Sequence, residues 1–254
     1  MAQQGTAGPA GTPRLGRVIK AAPSAVGGVA LLLPGGAETS TRRPSPLAAG
    51  AVRALGRRLA HDGRADGLAA HVVRYRCRGW NGAQAQLAED TAWAADEVVR
   101  LYGDVPVCLA GVDMGGRAAL RAAGHRAVNS VLAIAPWLPE DDMAAPPEPV
   151  KQLAGRRVLI VHGTNDERTD PELSFRLAER AKKTNRDVCR FEVHSDGHRL
   201  HQHQDEVLAL ASDFVRGTLF GTDFARPLED ALAAPPPLGL RMPLASGFGR
   251  SLRR

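Results

Sequence analysis

The sequence predicts an α/β fold with a mostly parallel central sheet and helices on both of its faces. Short apolar runs alternate along the chain with amphipathic stretches, which is the pattern of successive βα units. With 254 residues, 44% of them hydrophobic, the chain suits one domain of moderate size. Right-handed crossovers would then bring the loops after the strands to one edge of the sheet, where open α/β folds build their sites.

Six apolar runs predict the strands of the sheet, and a seventh segment predicts an antiparallel edge strand. The six runs are 29–33, 70–75, 106–110, 130–134, 157–162 and 188–193, and the edge segment is 17–21. Five intervening stretches predict helices, at 48–60, 83–101, 114–123, 171–182 and 202–218. Asp170 before Pro171 and Asn81 ahead of the second helix are typical N-cap residues.

The two ends of the chain have a different composition from its middle. Residues 1–14 and 222–254 are rich in Gly, Pro and Ala, and such segments bury too little apolar surface to offset their ordering entropy. We therefore expect a disordered N-terminal segment, a folded domain over 15–221 and a flexible tail over 222–254.

Composition excludes several classes of function. No window reaches the roughly 18 apolar residues of a membrane span, and the start lacks the features of a secretory signal, so we expect a cytoplasmic protein without membrane contact. The net charge of +6 comes without a basic run interleaved with aromatics, which argues against a nucleic-acid partner. The three cysteines and the histidines lack a metal-ligand spacing, so we expect neither metal nor cofactor. The oligomeric state stays open.

The first chemical signal is the run Gly111-Val112-Asp113-Met114-Gly115-Gly116, between a predicted strand and a predicted helix. Small residues on both sides of a central polar one allow strand and helix to approach while that side chain stands above the sheet. This is the setting of a nucleophile elbow. The central residue here is an aspartate.

Two later strands also end in residues that carry chemistry. The run 158–161 leads into His162-Gly163-Thr164-Asn165-Asp166, and the run 191–193 leads into His194-Ser195-Asp196-Gly197-His198. With these motifs the chain resembles the α/β-hydrolase superfamily, nearest in build to compact dienelactone-hydrolase-like and serine esterase members. The resemblance covers about residues 25–220, and the order nucleophile, acid, histidine matches Asp113, Asp166 and His198.

The same resemblance assigns further roles. It makes Asp166 the acid that orients His198, while Asp170 is better explained as a helix cap and His162 as structural. Pro34-Gly35-Gly36 follows the first parallel strand where relatives carry His-Gly-Gly, so the N–H groups of Gly35, Gly36 and Met114 resemble an oxyanion hole. Tyr75 and Trp80 follow the second parallel strand and are expected at the pocket mouth; for Trp80 and Trp137 a packing role is equally open.

Asp113 decides between mechanisms. A carboxylate suits displacement at an alkyl carbon, giving an ester that a His-activated water cleaves, as in the haloalkane dehalogenase and epoxide hydrolase relatives. Those relatives carry a tryptophan after the aspartate and a helical cap, whereas here Met114 follows and only 22 residues separate Ile134 from Arg157. The sequence thus favours a small-molecule hydrolase, and leaves open a noncatalytic binding protein or an enzyme using Asp113 as a general base.

Overall fold

The computed structural model describes residues 11–20, 25–140 and 147–249. Within them one sheet of eight strands runs in the order β1-β3-β2-β4-β5-β6-β7-β8. The strands are β1 (Arg14–Leu15), β2 (Gly28–Leu33), β3 (Leu68–Arg74), β4 (Val107–Val112), β5 (Val128–Ile134), β6 (Arg157–Gly163), β7 (Val188–Val193) and β8 (Met242–Pro243). Only β1 is antiparallel to its neighbour.

Helices cover both faces of the sheet, which confirms the predicted fold class. They are α1 (Pro46–Asp62), α2 (Gln86–Tyr102), α3 (Met114–Ala122), α4 (Pro171–Lys182), α5 (Gln204–Phe220) and α6 (Arg226–Ala233). Buried residues of α2, α3 and α4 pack in one core cluster with alternate residues of the strands, and those of α1, α5 and α6 pack in a second cluster on the other face. The central strands β2 and β4 are apolar throughout because both of their faces are covered.

Local capping agrees with the sequence at one of two helix starts. Asp170 caps α4, since its side chain accepts a hydrogen bond from the N–H of Glu172 at 2.8 Å. Asn81 was expected to cap α2 and does not. It has a left-handed backbone, and its side-chain amide donates to the carbonyl of Ser40 and to Oε1 of Gln86, while α2 starts only at Gln86.

The edge of the sheet is antiparallel as expected, but its pairing lies earlier in the chain. Arg14 and Leu15 pair with Arg74 and Val73, and Ile19 adds an isolated bridge to Ala70. The predicted segment 17–21 ends at Ala21, which lies outside the described residues, as do residues 1–10 of the expected N-terminal segment.

Residues 222–249 are not the flexible tail that their composition predicts. Leu228, Ala231 and Leu240 are fully buried, and β8 adds a parallel strand to β7. The guanidinium of Arg190, itself buried, donates to the carbonyl of Leu240 at 3.0 Å. Residues 250–254 lie outside the described part of the chain.

The connection between β5 and β6 contains no helical cap in its described residues. Over 135–140 and 147–156 the only regular element is the single 3-10 turn Lys151–Leu153. No described helix of this connection therefore covers the edge of the sheet at which β4, β6 and β7 end. None of the described helices combines the length and the apolar character that crossing a bilayer requires.

Candidate active site

Asp113 occupies a sharp turn between β4 and α3. Its backbone has φ 56° and ψ −125°, a region that residues with a side chain seldom adopt. Its N–H donates to the carbonyl of Ile134 at 3.0 Å, and its own carbonyl accepts from Gly116 at 2.9 Å and from Trp137 at 3.1 Å. These bonds hold the strained turn from the neighbouring strand, from α3 and from the loop after β5.

The two glycines that flank the turn are required by close backbone contacts. A Cβ at Gly111 would overlap the carbonyl of Gly115, and a Cβ at Gly115 would overlap the carbonyl of Leu33. The strand and the helix therefore approach as a nucleophile elbow requires.

Asp166 and His198 form the hydrogen-bonded pair expected from the sequence. Nδ1 of His198 lies 2.8 Å from Oδ2 of Asp166. The same carboxylate accepts from the hydroxyl of Thr169 at 2.6 Å and from the N–H groups of Arg168 and Thr169 at 2.9 and 3.0 Å. With Nδ1 engaged, Nε2 is the ring nitrogen left for chemistry.

The same network keeps Asp166 ionised. Burial alone would raise the pKa of Asp166, but hydrogen bonds from His162, His198 and Thr169 hold that pKa far below its ordinary value. His162 is fully buried, with Nε2 3.2 Å from Asp166 and Nδ1 2.9 Å from the hydroxyl of Ser174. Burial lowers the pKa of His162, so this ring is a neutral support of Asp166.

The two carboxylate oxygens of Asp113 have different surroundings. Oδ2 accepts a hydrogen bond from the guanidinium of Arg168 at 3.1 Å. Oδ1 is buried, lies 3.9 Å from Nε2 of His198, and has no hydrogen-bond partner within the described residues. A buried carboxylate oxygen without a partner is costly, and such an atom in a folded protein requires an explanation.

Burial and neighbouring groups shift the pKa of Asp113 in opposite directions. Burial raises its pKa, while the charge of Arg168, the ring of His198 and the N–H of Met114 lower it. The net result is a pKa above the ordinary aspartate value, because desolvation penalises the charged form most.

The glycine loop after β2 packs directly on the Asp113 side chain. A Cβ at Gly35 would lie 2.7 Å from Oδ2 of Asp113, and a Cβ at Gly36 would lie 3.4 Å from that of Met114. The structure thus brings Gly35, Gly36 and Met114 together around Asp113, while the expected oxyanion hole stays a prediction. The carboxylate itself fills space that a serine hydroxyl would leave to a substrate.

Tyr75 and Trp80 were expected at the pocket mouth, but both are core residues. Tyr75 is 4% exposed and its hydroxyl has no hydrogen-bond partner in the described chain. Burial raises its pKa far above the ordinary tyrosine value. Tyr75 lies one residue past the end of β3 and shares the core cluster of Val73, so the alternation of the strand continues to it and both side chains are buried on the same side of the sheet.

Trp80 packs against a buried cation rather than lining a pocket. The guanidinium of Arg117 lies 3.9 Å from the centre of the Trp80 ring and 5.1 Å from that of Trp137. Arg117 also pairs with the buried carboxylate of Glu148 at 2.9 Å. For Trp80 the packing interpretation therefore holds, whereas Trp137 is only partly buried and contacts the same cation. This cluster supports the first turn of α3.

Sequence reasoning missed Arg168 and Thr169. Both belong to the loop after β6, two and three residues beyond Asp166; Arg168 contacts Asp113 and Thr169 contacts Asp166. Their position just after a candidate acid was the available signal. An exposed arginine in an arginine-rich chain gave no reason to single it out.

Comparisons with known proteins place the fold. No protein-family profile matches the chain, and no curated protein matches it by sequence. Solved structures, in contrast, match the chain over most of its length. The esterase Pf2001 of Pyrococcus furiosus superposes with a TM-score of 0.61 at 16% identity, covering 76% of this chain and 82% of that one.

Two bacterial structures resemble the chain over more of its length. XC6422 from Xanthomonas campestris, described as an α/β serine hydrolase without lid, has a TM-score of 0.60 at 20% identity over 85% of this chain and 94% of its own. An α/β serine hydrolase homologue from Coxiella burnetii has a TM-score of 0.57 at 17% identity, over 81% and 92%. The chain therefore has the α/β-hydrolase fold, as the resemblance implied.

Proposed function

We propose that this protein is a hydrolase of small molecules in which Asp113 is the nucleophile, His198 the base that activates water and Asp166 the acid that orients His198. The observation that carries the proposal is the buried, unpartnered oxygen Oδ1 of Asp113, which faces Nε2 of His198 from a strained elbow. The esterase and serine hydrolase fold of the neighbours supports hydrolysis in general.

The reaction has two steps. A carboxylate oxygen of Asp113 attacks an alkyl carbon, and the bond from that carbon to the leaving group breaks, so that the leaving group departs with the electron pair and an ester remains. Nε2 of His198 then accepts a proton from water, and the hydroxide oxygen attacks Cγ of Asp113. The bond between Cγ and the ester oxygen breaks, the departing alcohol takes the proton from His198, and Asp113 keeps the oxygen from water and releases the remaining water proton to solvent.

The positions of the two tyrosines bear on the choice between epoxides and haloalkanes as substrates. An epoxide needs a proton donor for its ring oxygen, and the chain has two tyrosines. Tyr75 is buried in the core, and the hydroxyl of Tyr102 lies 2.7 Å from Nε2 of His71, outside the site. Substrates whose leaving group departs as a stable anion without protonation, such as haloalkanes, therefore fit better than epoxides.

Oxygen labelling tests the nucleophile directly. A panel of haloalkanes, epoxides, lactones and activated esters is first screened for turnover, and one turnover of a substrate is then run in H2 18O with enzyme in excess. We expect label in the peptide that contains Asp113 and unlabelled oxygen in the alcohol. Label in the alcohol after the first turnover, with none in Asp113, would instead make Asp113 a general base toward water.

One observation favours a second candidate, a noncatalytic binding protein. The guanidinium of Arg168 already neutralises Oδ2, and the carboxylate packs on Gly35, so the elbow is occupied by its own ion pair. In that case no member of the panel forms an adduct or turns over. Ligands that bind without reaction would then perturb the Asp113–Arg168 pair, and Asp113→Ala would change their affinity.

A further inference from the structure

Arg168 donates a hydrogen bond to only one of the two carboxylate oxygens of Asp113. Its guanidinium donates to Oδ2 at 3.1 Å, whereas Oδ1, 3.9 Å from Nε2 of His198, is buried and has no hydrogen-bond partner in the described part of the chain. The Arg168 side chain is itself 58% exposed, so the guanidinium reaches inward from the solvent side of the site.

We propose that Arg168 is a catalytic residue which selects Oδ1 of Asp113 as the attacking oxygen and then stabilises the negative charge that develops on Oδ2. The inference rests on the proposed function of Asp113 as nucleophile. It assigns to a side chain the task that backbone N–H groups perform in an oxyanion hole.

Selection of the oxygen follows from hydrogen bonding. An oxygen that accepts a charge-assisted bond from a guanidinium has its electron density drawn toward the donor, and an unpartnered oxygen in a buried setting does not. Oδ1 therefore keeps the greater nucleophilicity. Its desolvation is also an unfavourable ground-state interaction that bond formation to carbon removes.

The second step places new charge on the oxygen that Arg168 holds. After alkylation through Oδ1, Oδ2 is the carbonyl oxygen of the ester. When hydroxide adds to Cγ, the C–O double bond opens and its electron pair moves to Oδ2, and when the alcohol departs the pair returns. A positive donor at Oδ2 stabilises this intermediate more than the neutral ester before it.

The loop geometry couples Arg168 to the rest of the triad. The backbone N–H of Arg168 donates to Oδ1 of Asp166 at 2.9 Å, and the other oxygen of that carboxylate bonds to His198. One turn of chain therefore fixes both the residue that orients the base and the cation at Oδ2. Gly35 leaves room for this arrangement because its Cα packs against Oδ2 without a side chain.

The test separates the two chemical steps in Arg168→Ala and Arg168→Lys, using a haloalkane that the wild type turns over. Rapid quenching and intact-mass spectrometry follow formation and decay of the Asp113 ester. Arg199→Ala is the matched control, since Arg199 is an exposed arginine beside His198. We expect ester decay in Arg168→Ala to slow by roughly 10- to 100-fold, with partial recovery in Arg168→Lys and on addition of methylguanidine.

A pH profile adds a readout that a merely structural role would not change. The charge of Arg168 lowers the pKa of Asp113, so its loss should move the acidic limb of ester formation to higher pH in Arg168→Ala and leave it in place in Arg168→Lys. Ester decay at the wild-type rate in Arg168→Ala, with an unchanged thermal melt, overturns the inference alone. No ester in any variant, His198→Gln included, overturns both this inference and the proposed function.

Discussion

Nε2 of His198 lies 3.9 Å from Oδ1 of Asp113, beyond hydrogen-bond reach, while Nδ1 of the same ring is held 2.8 Å from Asp166. A serine at this position would have to come within hydrogen-bond distance of Nε2 before it attacks, because the histidine must remove its proton. A carboxylate that is already ionised has no proton to give. The spacing thus suits a base that acts on water in a second step.

Replacing His198 by glutamine should uncouple the two steps of the reaction. Ester formation at Asp113 requires no base, whereas ester hydrolysis does, so His198→Gln should accumulate a covalent adduct while turnover falls by roughly 100-fold or more. Intact-mass spectrometry of the protein after exposure to the haloalkane measures the adduct. His194→Gln, a change at an exposed histidine four residues earlier, should turn over as the wild type does.

Asp113 should lower the stability of the folded protein at neutral pH. Its folded pKa is raised by burial, so the unfolded chain releases this proton at a lower pH than the folded one. Relative to Asp113→Asn, the wild type should therefore lose free energy of unfolding as the pH rises from below the ordinary aspartate pKa through the raised folded pKa. Above that pH the difference stays constant.

Urea unfolding of both proteins across this pH range measures the effect. Asp104→Asn, at an exposed aspartate, is the control and should show no comparable pH-dependent gain. A stability difference between the wild type and Asp113→Asn that stays constant, or that shifts in favour of the wild type, as the pH rises would contradict the prediction, and would mean that Arg168 and His198 outweigh the burial of the carboxylate.

The segment after Gly221 should contribute to the stability of the domain. Leu228 is fully buried on α6, so Leu228→Ala should cost about 2–5 kcal/mol of unfolding free energy. Leu238→Ala should cost almost nothing, because that side chain is 66% exposed. Thermal or urea unfolding of the two variants makes the comparison, and equal melts would restore the prediction of a dispensable tail.

The sequence predicted the sheet well because its inner strands are buried on both faces, so each of them contains an apolar run, although β5 and β7 also carry buried polar residues such as Ser130 and Arg190. Asp113, Asp166 and His198 were found for the same reason, since each follows such a run. The segment over 222–249 was mispredicted because its apolar residues are interspersed with Pro and Gly and are buried only through a particular docking: Leu240 is held by the buried Arg190, and the N–H of Leu244 donates to the carbonyl of Glu192. Composition does not reveal contacts of that kind.

Of the side chains discussed around Asp113, some could be placed from the sequence and others could not. Tyr75 could have been placed in the core from the sequence, because it lies two residues after Val73 on the same strand face. The contact of Arg168 with Asp113 could not be predicted, because its exposed guanidinium reaches Asp113 only through the path of the loop after β6. Local pattern determines which face of a strand a residue occupies, whereas the partner of a loop residue depends on the assembled fold.

Asp113→Ser introduces the hydroxyl nucleophile that an elbow of this kind positions in serine hydrolases. The turn should accept serine, because the strained backbone already carries a residue with a side chain. The change also removes the carboxylate that packs on Gly35 and would repel a developing oxyanion. One oxyanion-hole donor is typically worth roughly 3 kcal/mol, so restored access to the N–H groups of Gly35, Gly36 and Met114 should matter. We expect hydrolysis of p-nitrophenyl acetate to rise at least about tenfold above the parent.

Asp113→Ala is the matched control, since it also removes the charge but supplies no hydroxyl, and it should stay at the parent level. His198→Gln in the serine background should abolish the gain, because the serine then lacks its base. A folded but inert serine variant would mean that the N–H groups do not converge on a substrate oxygen, and would favour the binding protein over the hydrolase.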